Sequence, residues 1–559
     1  MNKLIALIAC SLLTGYTFAQ QKRPLDVKAC TSWNRIDNPK LSPTGRYVTY
    51  KIVPTERGYS DSDKIPTILY DSKTGKKCLE LRDVDNFKYF NQDRQLSYTQ
   101  TDSTGKTLTY ILDLPSGKKT LWQHRESLAP IKGSPVSAAL VKTAEDKAKN
   151  IKSHDNLIIR NLKTKDSVCI ENIVRYDIFN EGRSIVFMQD RDAQRQIMYG
   201  AVAGPYKVML KGEKKAMPTY FNFDQNTLTG RFDINDSLYC RFSLKHNSID
   251  TVLCVDEIPV PENMKIVRIS LTRNSNYVML EIGDKANSGK KRKKPTRKKD
   301  DSFELELWTW DEKEVPTLQT ASTYQRTAYD KYIYNRKTRR LVKIAPVEGN
   351  MLMPYRELGD VNYLIYTDET PYLKQKEWRE KIPFDVYAVD IHTGQSRLIG
   401  KEYREQPKWS PTGRWVMMYD SHKRNWNKFD ANSGAVSNVS ADIPYPVYDE
   451  THDKPAPAPS YGIAGWTADG KYVMVRDAYD WWKIALDGSE KTVCMTRGNG
   501  RSSQVSYRIL YSNMDKEVFG ANEKVYVLGV HHKDMSQSIC QIDMKGNVRT
   551  LMHGDYMYN

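Results

Sequence analysis

Two phrases decide how this chain folds: Pro407-Lys-Trp409-Ser-Pro-Thr-Gly413-Arg-Trp-Val-Met-Met-Tyr419 and Gly465-Trp466-Thr-Ala-Asp-Gly470-Lys-Tyr-Val-Met-Val475. Each sets an aromatic residue before a tight glycine turn and follows the turn with a β-branched and aromatic run. Each is completed by a further run and a second glycine turn, Trp426-Asn-Lys-Phe429-Asp-Ala-Asn-Ser-Gly434 in the first copy and Trp482-Lys-Ile-Ala-Leu486-Asp-Gly488 in the second. Strand, turn, strand, loop, strand, turn, strand is the grammar of one β-propeller blade. The spacing from Trp409 to Trp466 exceeds the ~40–50 residues of a lean blade, and the Pro-rich loop 443–460 accounts for the surplus.

Outward from this stretch the phrase returns. Leu41-Ser-Pro-Thr-Gly45-Arg-Tyr-Val-Thr-Tyr50 nearly repeats the one at Trp409, and Ile68-Leu-Tyr-Asp71-Ser-Lys-Thr-Gly75 closes it. Tyr89–Tyr98 with Leu108–Gly117, Asn156–Lys165 with Phe179–Phe187, and Leu352–Thr367 with Phe384–Gly394 follow the same scheme, whereas Tyr220–Pro259 is more degenerate. Tyr507–Gly520 and Val525–Gly546 begin a further unit. Ser127–His154 is polar and reads as an excursion with a short helix at Ala144–Lys149, and Phe303–Asp311 reads as the partner of Ser270–Leu280. The fold class expected is all-β: one propeller over residues 20–559, of seven or eight four-stranded antiparallel blades, its ring closed or left unfinished. In Ser-Pro-x-Gly, Pro fixes one turn dihedral and Gly permits a positive φ. Ser42 and Ser410 are therefore turn residues rather than nucleophiles.

Composition agrees with strands. Tyr (35) far outnumbers Phe (13) and Trp (11), and Tyr, Val, Ile and Thr suit half-buried strands. Met1-Asn-Lys3, the apolar run Leu4–Phe18 and Thr17-Phe-Ala19 read as a signal peptide over residues 1–19, which predicts an exported, periplasmic or secreted protein. That run is too short for a membrane span. Leu7-Ile-Ala-Cys10 matches a lipoprotein acceptor, but with too few apolar residues before the Cys to favour lipid anchoring. Cysteines 30, 78, 169, 240, 254, 494 and 540 show no Cys-x-x-Cys spacing; Cys240 and Cys254 could pair across neighbouring strands, and buried thiols explain most of the rest. The net charge of +17 has one main source, Lys290-Lys-Arg-Lys-Lys-Pro-Thr-Arg-Lys-Lys299. Self-repulsion predicts a disordered basic insertion over 283–302, and the export signal argues against nucleic acid as its partner.

Catalytic constellations are not found. A serine hydrolase of the α/β type needs Gly-x-Ser-x-Gly followed by Asp and His; Gly133-Ser, Gly488-Ser and Gly500-Arg-Ser-Ser all fail this test. No phosphate-binding loop, His-Glu-x-x-His or dinucleotide fingerprint occurs, so the sequence assigns no catalytic, cofactor-binding or metal residue and implies no cofactor. The densest ligand cluster, Asp449-Glu450-Thr-His452-Asp453, reads as a solvated inter-blade loop, and His531-His532 as a strand-end pair.

The order of motifs Ile443-Pro-Tyr-Pro-Val-Tyr-Asp-Glu-Thr-His-Asp453, Tyr461-Gly-Ile-Ala-Gly-Trp466 and Tyr479-Asp-Trp-Trp-Lys-Ile484 resembles the N-terminal propeller of exported bacterial peptidases of the prolyl oligopeptidase family. Ser302-Phe-Glu-Leu-Glu-Leu-Trp-Thr-Trp-Asp311 resembles the same group. The Ser-Pro-Thr-Gly phrases are less specific, since they also occur in other exported propellers such as the translocation protein TolB. The resemblance implies a propeller that caps a C-terminal α/β-hydrolase domain carrying a Ser–Asp–His triad and admits only short peptides. Residues matching that domain are not found before Asn559, so the expectation is a gating propeller without peptidase activity of its own. The alternatives are a stand-alone exported propeller that binds peptide, glycan or envelope protein, and a metal-dependent propeller enzyme using His452.

Overall fold

The computed structural model describes residues 33–54, 65–102, 104–124, 126–131, 134–143, 154–235, 237–271, 276–284, 329–353, 361–510, 518–554 and 557–558. The signal segment 1–19 with Cys10, Cys30, the Ala144–Lys149 stretch, all but the start of the basic insertion, and Ser302–Asp311 lie outside the described residues. The chain divides into two compact units, Met1–Val255 and Asp256–Asn559. Each contains five sheets among its described residues, eight of the ten being antiparallel meanders of consecutive strands.

The first unit carries blades over 34–81, 84–121, 136–170, 173–213 and 221–254. The second carries blades over 264–345, 350–403, 408–438, 463–494 and 505–554. Eight of the ten sheets are four-stranded; the third has three strands, with an antiparallel bridge from Pro130 to Ser137 in the place of a first strand, and the ninth gains Val518–Phe519 as a parallel fifth strand beside Ile463–Thr467. Ten blades replace the expected seven or eight. Val136–Lys142, inside the stretch read as an excursion, is a strand of the third blade paired along its length with Asp155–Asn161. The degenerate stretch after Tyr220 is a complete blade, and so is Val505–Gly554.

Side-chain alternation explains why the middle strands are so apolar. Along Trp415–Asp420 every residue is buried. Val416 and Met418 face one core cluster with Leu364, Ile365 and Val389 of the seventh blade. Trp415, Met417 and Tyr419 face another with Trp466, Val473 and Val475 of the ninth. In the ninth blade Val473 and Val475 point back to that cluster while Met474 and Trp481 join a third with Val505 and Val527. A sheet stacked on both faces needs apolar residues at both parities, whereas the outer fourth strands, such as Lys119–Leu121 and Val436–Asn438, are exposed throughout.

Tyr277–Asp284 lies between Met264–Leu271 and Asp330–Asn335; Phe303–Asp311, the expected partner of Ser270–Leu280, lies outside the described residues. One further expectation is corrected by register. Cys254 stands opposite Leu238 and Cys240 opposite Thr251; both thiols are free. A bulge between Tyr239 and Cys240 sets that offset.

Candidate functional site

Both hairpin turns of a meander, between its first and second strands and between its third and fourth, fall at the same end of the sheet. Here they are joined by a repeated device. The carbonyl before the second strand accepts the amide that follows the third: Ser72 N to Arg46 O, Leu114 N to Arg94 O, Val202 N to Arg183 O, Ala431 N to Arg414 O and Leu486 N to Lys471 O, at 2.7–2.9 Å. The Ser-Pro-x-Gly turns add a side-chain bond. Ser42 Oγ accepts Tyr47 N and Ser410 Oγ accepts Trp415 N, each at 3.0 Å, and Thr467 Oγ1 does the same for Tyr472 N. Glycines 45, 413 and 470 supply the left-handed residue. Both serines are buried, placed as turn residues.

A charge tie completes the device in some blades. Arg46 reaches Asp71 at 3.1 Å, Arg94 reaches Asp113 at 3.6 Å and Arg414 reaches Asp430 at 3.7 Å. Each acid also organises its own Asp-x-x-x-Gly turn; Asp71 Oδ1 accepts the Lys73 and Thr74 amides. Burial opposes the charge on Asp71, but the Arg46 hydrogen bond and those amides outweigh it and hold the carboxyl below its usual range.

The motifs at 443–484 form one interlocked structure. Glu405 takes Ser460 N and Oγ at 2.6 and 2.7 Å, and the Tyr419 hydroxyl donates to Ala458 O, so the Pro-rich loop is fastened to the eighth blade. Asp477 and Asp480 are buried. Asp477 accepts the amides of Tyr479 and Asp480 and the indole N–H of Trp482, with Arg501 Nη2 at 3.3 Å. Asp480 accepts Thr496 Oγ1 and the amides of Gly500 and Arg501. The Arg501 guanidinium lies 3.7 Å from the Tyr445 ring centroid and 5.1 Å from that of Tyr479. Cation–π contact and a buried counter-ion fix this arginine in one orientation. With both acids fully engaged, this is scaffolding.

The residues that sequence reading weighed as metal ligands are not brought together. Asp449 folds onto its own turn, accepting Thr451 N and Oγ1. Among the described residues no group of three or more His, Cys, Asp or Glu is placed to hold a metal. His531 stacks on His553 with ring centroids 4.4 Å apart, and the two imidazoles contact Ser538 and Ser536. Burial and then the neighbouring His553 push the His531 pKa down. His532 instead lies against the Tyr479 ring. No described helix is long and apolar enough to cross a membrane.

A concavity does exist, in the first unit. A cavity of about 570 Å³ opens at the turn end of the third and fourth blades, floored by Val136, Ile159, Val168 and Val202 and reached by Lys163, Asp166 and Arg183. A smaller one of about 380 Å³ runs along Arg340–Pro346 beside the His392–Gly394 turn. Sequence reading passed over both, because each is made by segments far apart in the chain. No local signal announces the larger one: Ala201-Val-Ala-Gly204 replaces Asp-x-x-x-Gly, but so does Ala485-Leu-Asp-Gly488 in the ninth blade.

No family model matches the chain, and no curated protein does. Solved structures do match. A prolyl endopeptidase shares 9% identity at a TM-score of 0.27, over 72% of this chain and 55% of its own. The acylaminoacyl peptidase of Pyrococcus horikoshii shares 11% at 0.26, over 68% and 54%. The β-propeller domain of the trilobed protease of Pyrococcus furiosus shares 11% at 0.22, over 76% and 94%. The chain thus spans little more than half the length of the two peptidases, and scores of this size carry no argument about activity.

Proposed function

We propose that this chain is the propeller portion of an exported serine peptidase of the prolyl oligopeptidase type, where it screens and orients short peptides for a hydrolase module. One observation carries the reading: the ordered motifs Ile443–Asp453, Tyr461–Trp466 and Tyr479–Ile484, written into a repeat of four-stranded blades. The proposed export rests on Lys3, the run Leu4–Phe18 and Thr17-Phe-Ala19. The nucleophile, acid and base belong, on this reading, to the hydrolase module; no residue of the propeller is assigned to them.

The test is activity-based. The native protein is captured from its source cells with an antibody against the propeller and treated with a fluorophosphonate probe, which labels active serines. The expected result is a labelled serine on the captured polypeptide or on one that co-purifies with it in fixed ratio. Stoichiometric capture without label overturns the reading. A second reading, a propeller that binds a ligand in its own right, is favoured by the 570 Å³ cavity.

A further inference from the structure

The larger cavity sits at the turn end of the third and fourth blades, two of the seven blades without the Arg–Asp tie among the described residues. In the first, second and eighth blades an arginine of the first turn is tied to an aspartate that closes the third strand. In the third blade the corresponding positions hold Pro135 and Asn161; in the fourth they hold Arg183 and Ala201, so Arg183 has no aspartate to meet. It pairs instead with Glu181 of its own turn at 2.8 Å, both side chains largely in solvent.

Two backbone choices hold the space open. Gly182, at φ +83°, lies so close to Ser134 that a Cβ there would collide with its Oγ. Asn91 donates its amide to Ser134 O, which fixes the second blade's turn against the same wall. Asn91 and Gln92, both left-handed, bring two carboxamides to the rim.

The lining is selective. A floor of Val136, Ile159, Val168 and Val202 suits small branched side chains. Among the described residues no aromatic side chain lines the cavity, which disfavours nucleobases, held largely by stacking. Glu181 is taken by Arg183, leaving Lys163 and Asp166, three positions apart on one turn and both exposed, as opposite charges with no ion pair among the described residues. A purely anionic or cationic ligand would meet a like charge there, whereas a zwitterion satisfies both. The volume lies in the range of small-ligand sites. We propose that this cavity binds a short zwitterionic peptide with branched apolar side chains, its carboxylate at Lys163 and its ammonium at Asp166. The site is independent of the peptidase reading and could serve either of the two functions above.

The experiment is calorimetric titration of the full chain with the tripeptide valyl-alanyl-valine and with its C-terminal amide. The free acid should bind about two- to fivefold more tightly than the amide, the loss expected when one solvent-exposed charge contact is removed. Lys163→Ala should abolish that difference, and Ala203→Trp, which fills the cavity from an exposed turn, should abolish binding while leaving the melting temperature unchanged. Absence of binding at millimolar peptide, equal affinities for acid and amide, or full affinity in the Ala203→Trp protein would each overturn the proposal. The fluorophosphonate result stands apart from all three outcomes.

Discussion

The eighth and ninth blades and the third and fourth blades follow one plan, yet they treat it differently. Over 408–494 the sequence fills it: middle strands apolar at both parities, Trp466 and Trp481 fully buried, two buried aspartates fully hydrogen-bonded. Over 136–213 a cavity opens at the turn end, with Pro135 and Asn161 in one blade and Arg183 and Ala201 in the next where three other blades have an Arg–Asp pair; the ninth blade, with Lys471 and Ala485, lacks that pair as well. The contrast is between a repeat packed tightly at both parities and one that leaves a concavity.

Large-to-small substitution gives the widest gap between the two regions. Trp481 is fully buried in the cluster shared with Val505 and Val527, its indole N–H donating to Tyr507 O. Trp481→Ala should cost about 3–5 kcal/mol, read as a lower urea midpoint at unchanged slope. Val202→Ala, on the partly exposed cavity floor, should cost less than about 1 kcal/mol. Equal losses would mean that the cavity wall is ordinary core, and the contrast would fail.

The buried acids give the next gap. Asp480→Ala strips three donors of their acceptor, Thr496 Oγ1 and the amides of Gly500 and Arg501. Orphaned buried donors cost ~1–3 kcal/mol each when none can turn to water; with partial hydration, a total of about 3 kcal/mol is expected by chemical denaturation. Asp166→Ala, on the exposed turn beside the cavity, should stay within about 0.5 kcal/mol. A loss at Asp166 as large as at Asp480 would make it a structural residue and remove it from the proposed site.

The same contrast governs what could be read from sequence. The 405–498 region was legible because its turns use Gly and Pro and its strands alternate aromatic and β-branched residues. The third blade was not. Val136–Lys142 follows a polar stretch, and the neighbouring turns are built from Asn91, Gln92, Asp93, Asn180 and Glu181 in left-handed conformation, without a proline to announce them. Those two turns fall inside Tyr89–Tyr98 and Phe179–Phe187, which the repeat reading included; the strand it missed is Val136–Lys142, enclosed in the polar stretch Ser127–His154. The cavity was less legible still, since it joins residues 91–92, 161–168, 181–183 and 201–203. The loss of Asp at Ala201 is no local marker, since Asn161, Ser243, Asn335 and Ala485 stand at the same position in other blades.

The smallest effect tests the tie itself. Arg414 reaches Asp430 at 3.7 Å and lies over the Trp415 ring at 4.5 Å, half exposed. An ion pair so placed contributes ~0.2–1 kcal/mol, and stacking on the indole adds about 0.5 kcal/mol, so Arg414→Ala should lower stability by roughly 1 kcal/mol. Arg183→Ala breaks only a surface pair with Glu181 and should be nearly silent, within about 0.5 kcal/mol. The instructive variant is Ala201→Asp, which writes the missing partner back opposite Arg183. If the lapse is what keeps the turn end open, the new aspartate draws Arg183 across from Glu181, leaves stability within about 0.5 kcal/mol of the parent, and weakens tripeptide binding. An Ala201→Asp protein that binds the tripeptide as well as the parent does would show that the cavity does not owe its shape to the missing tie.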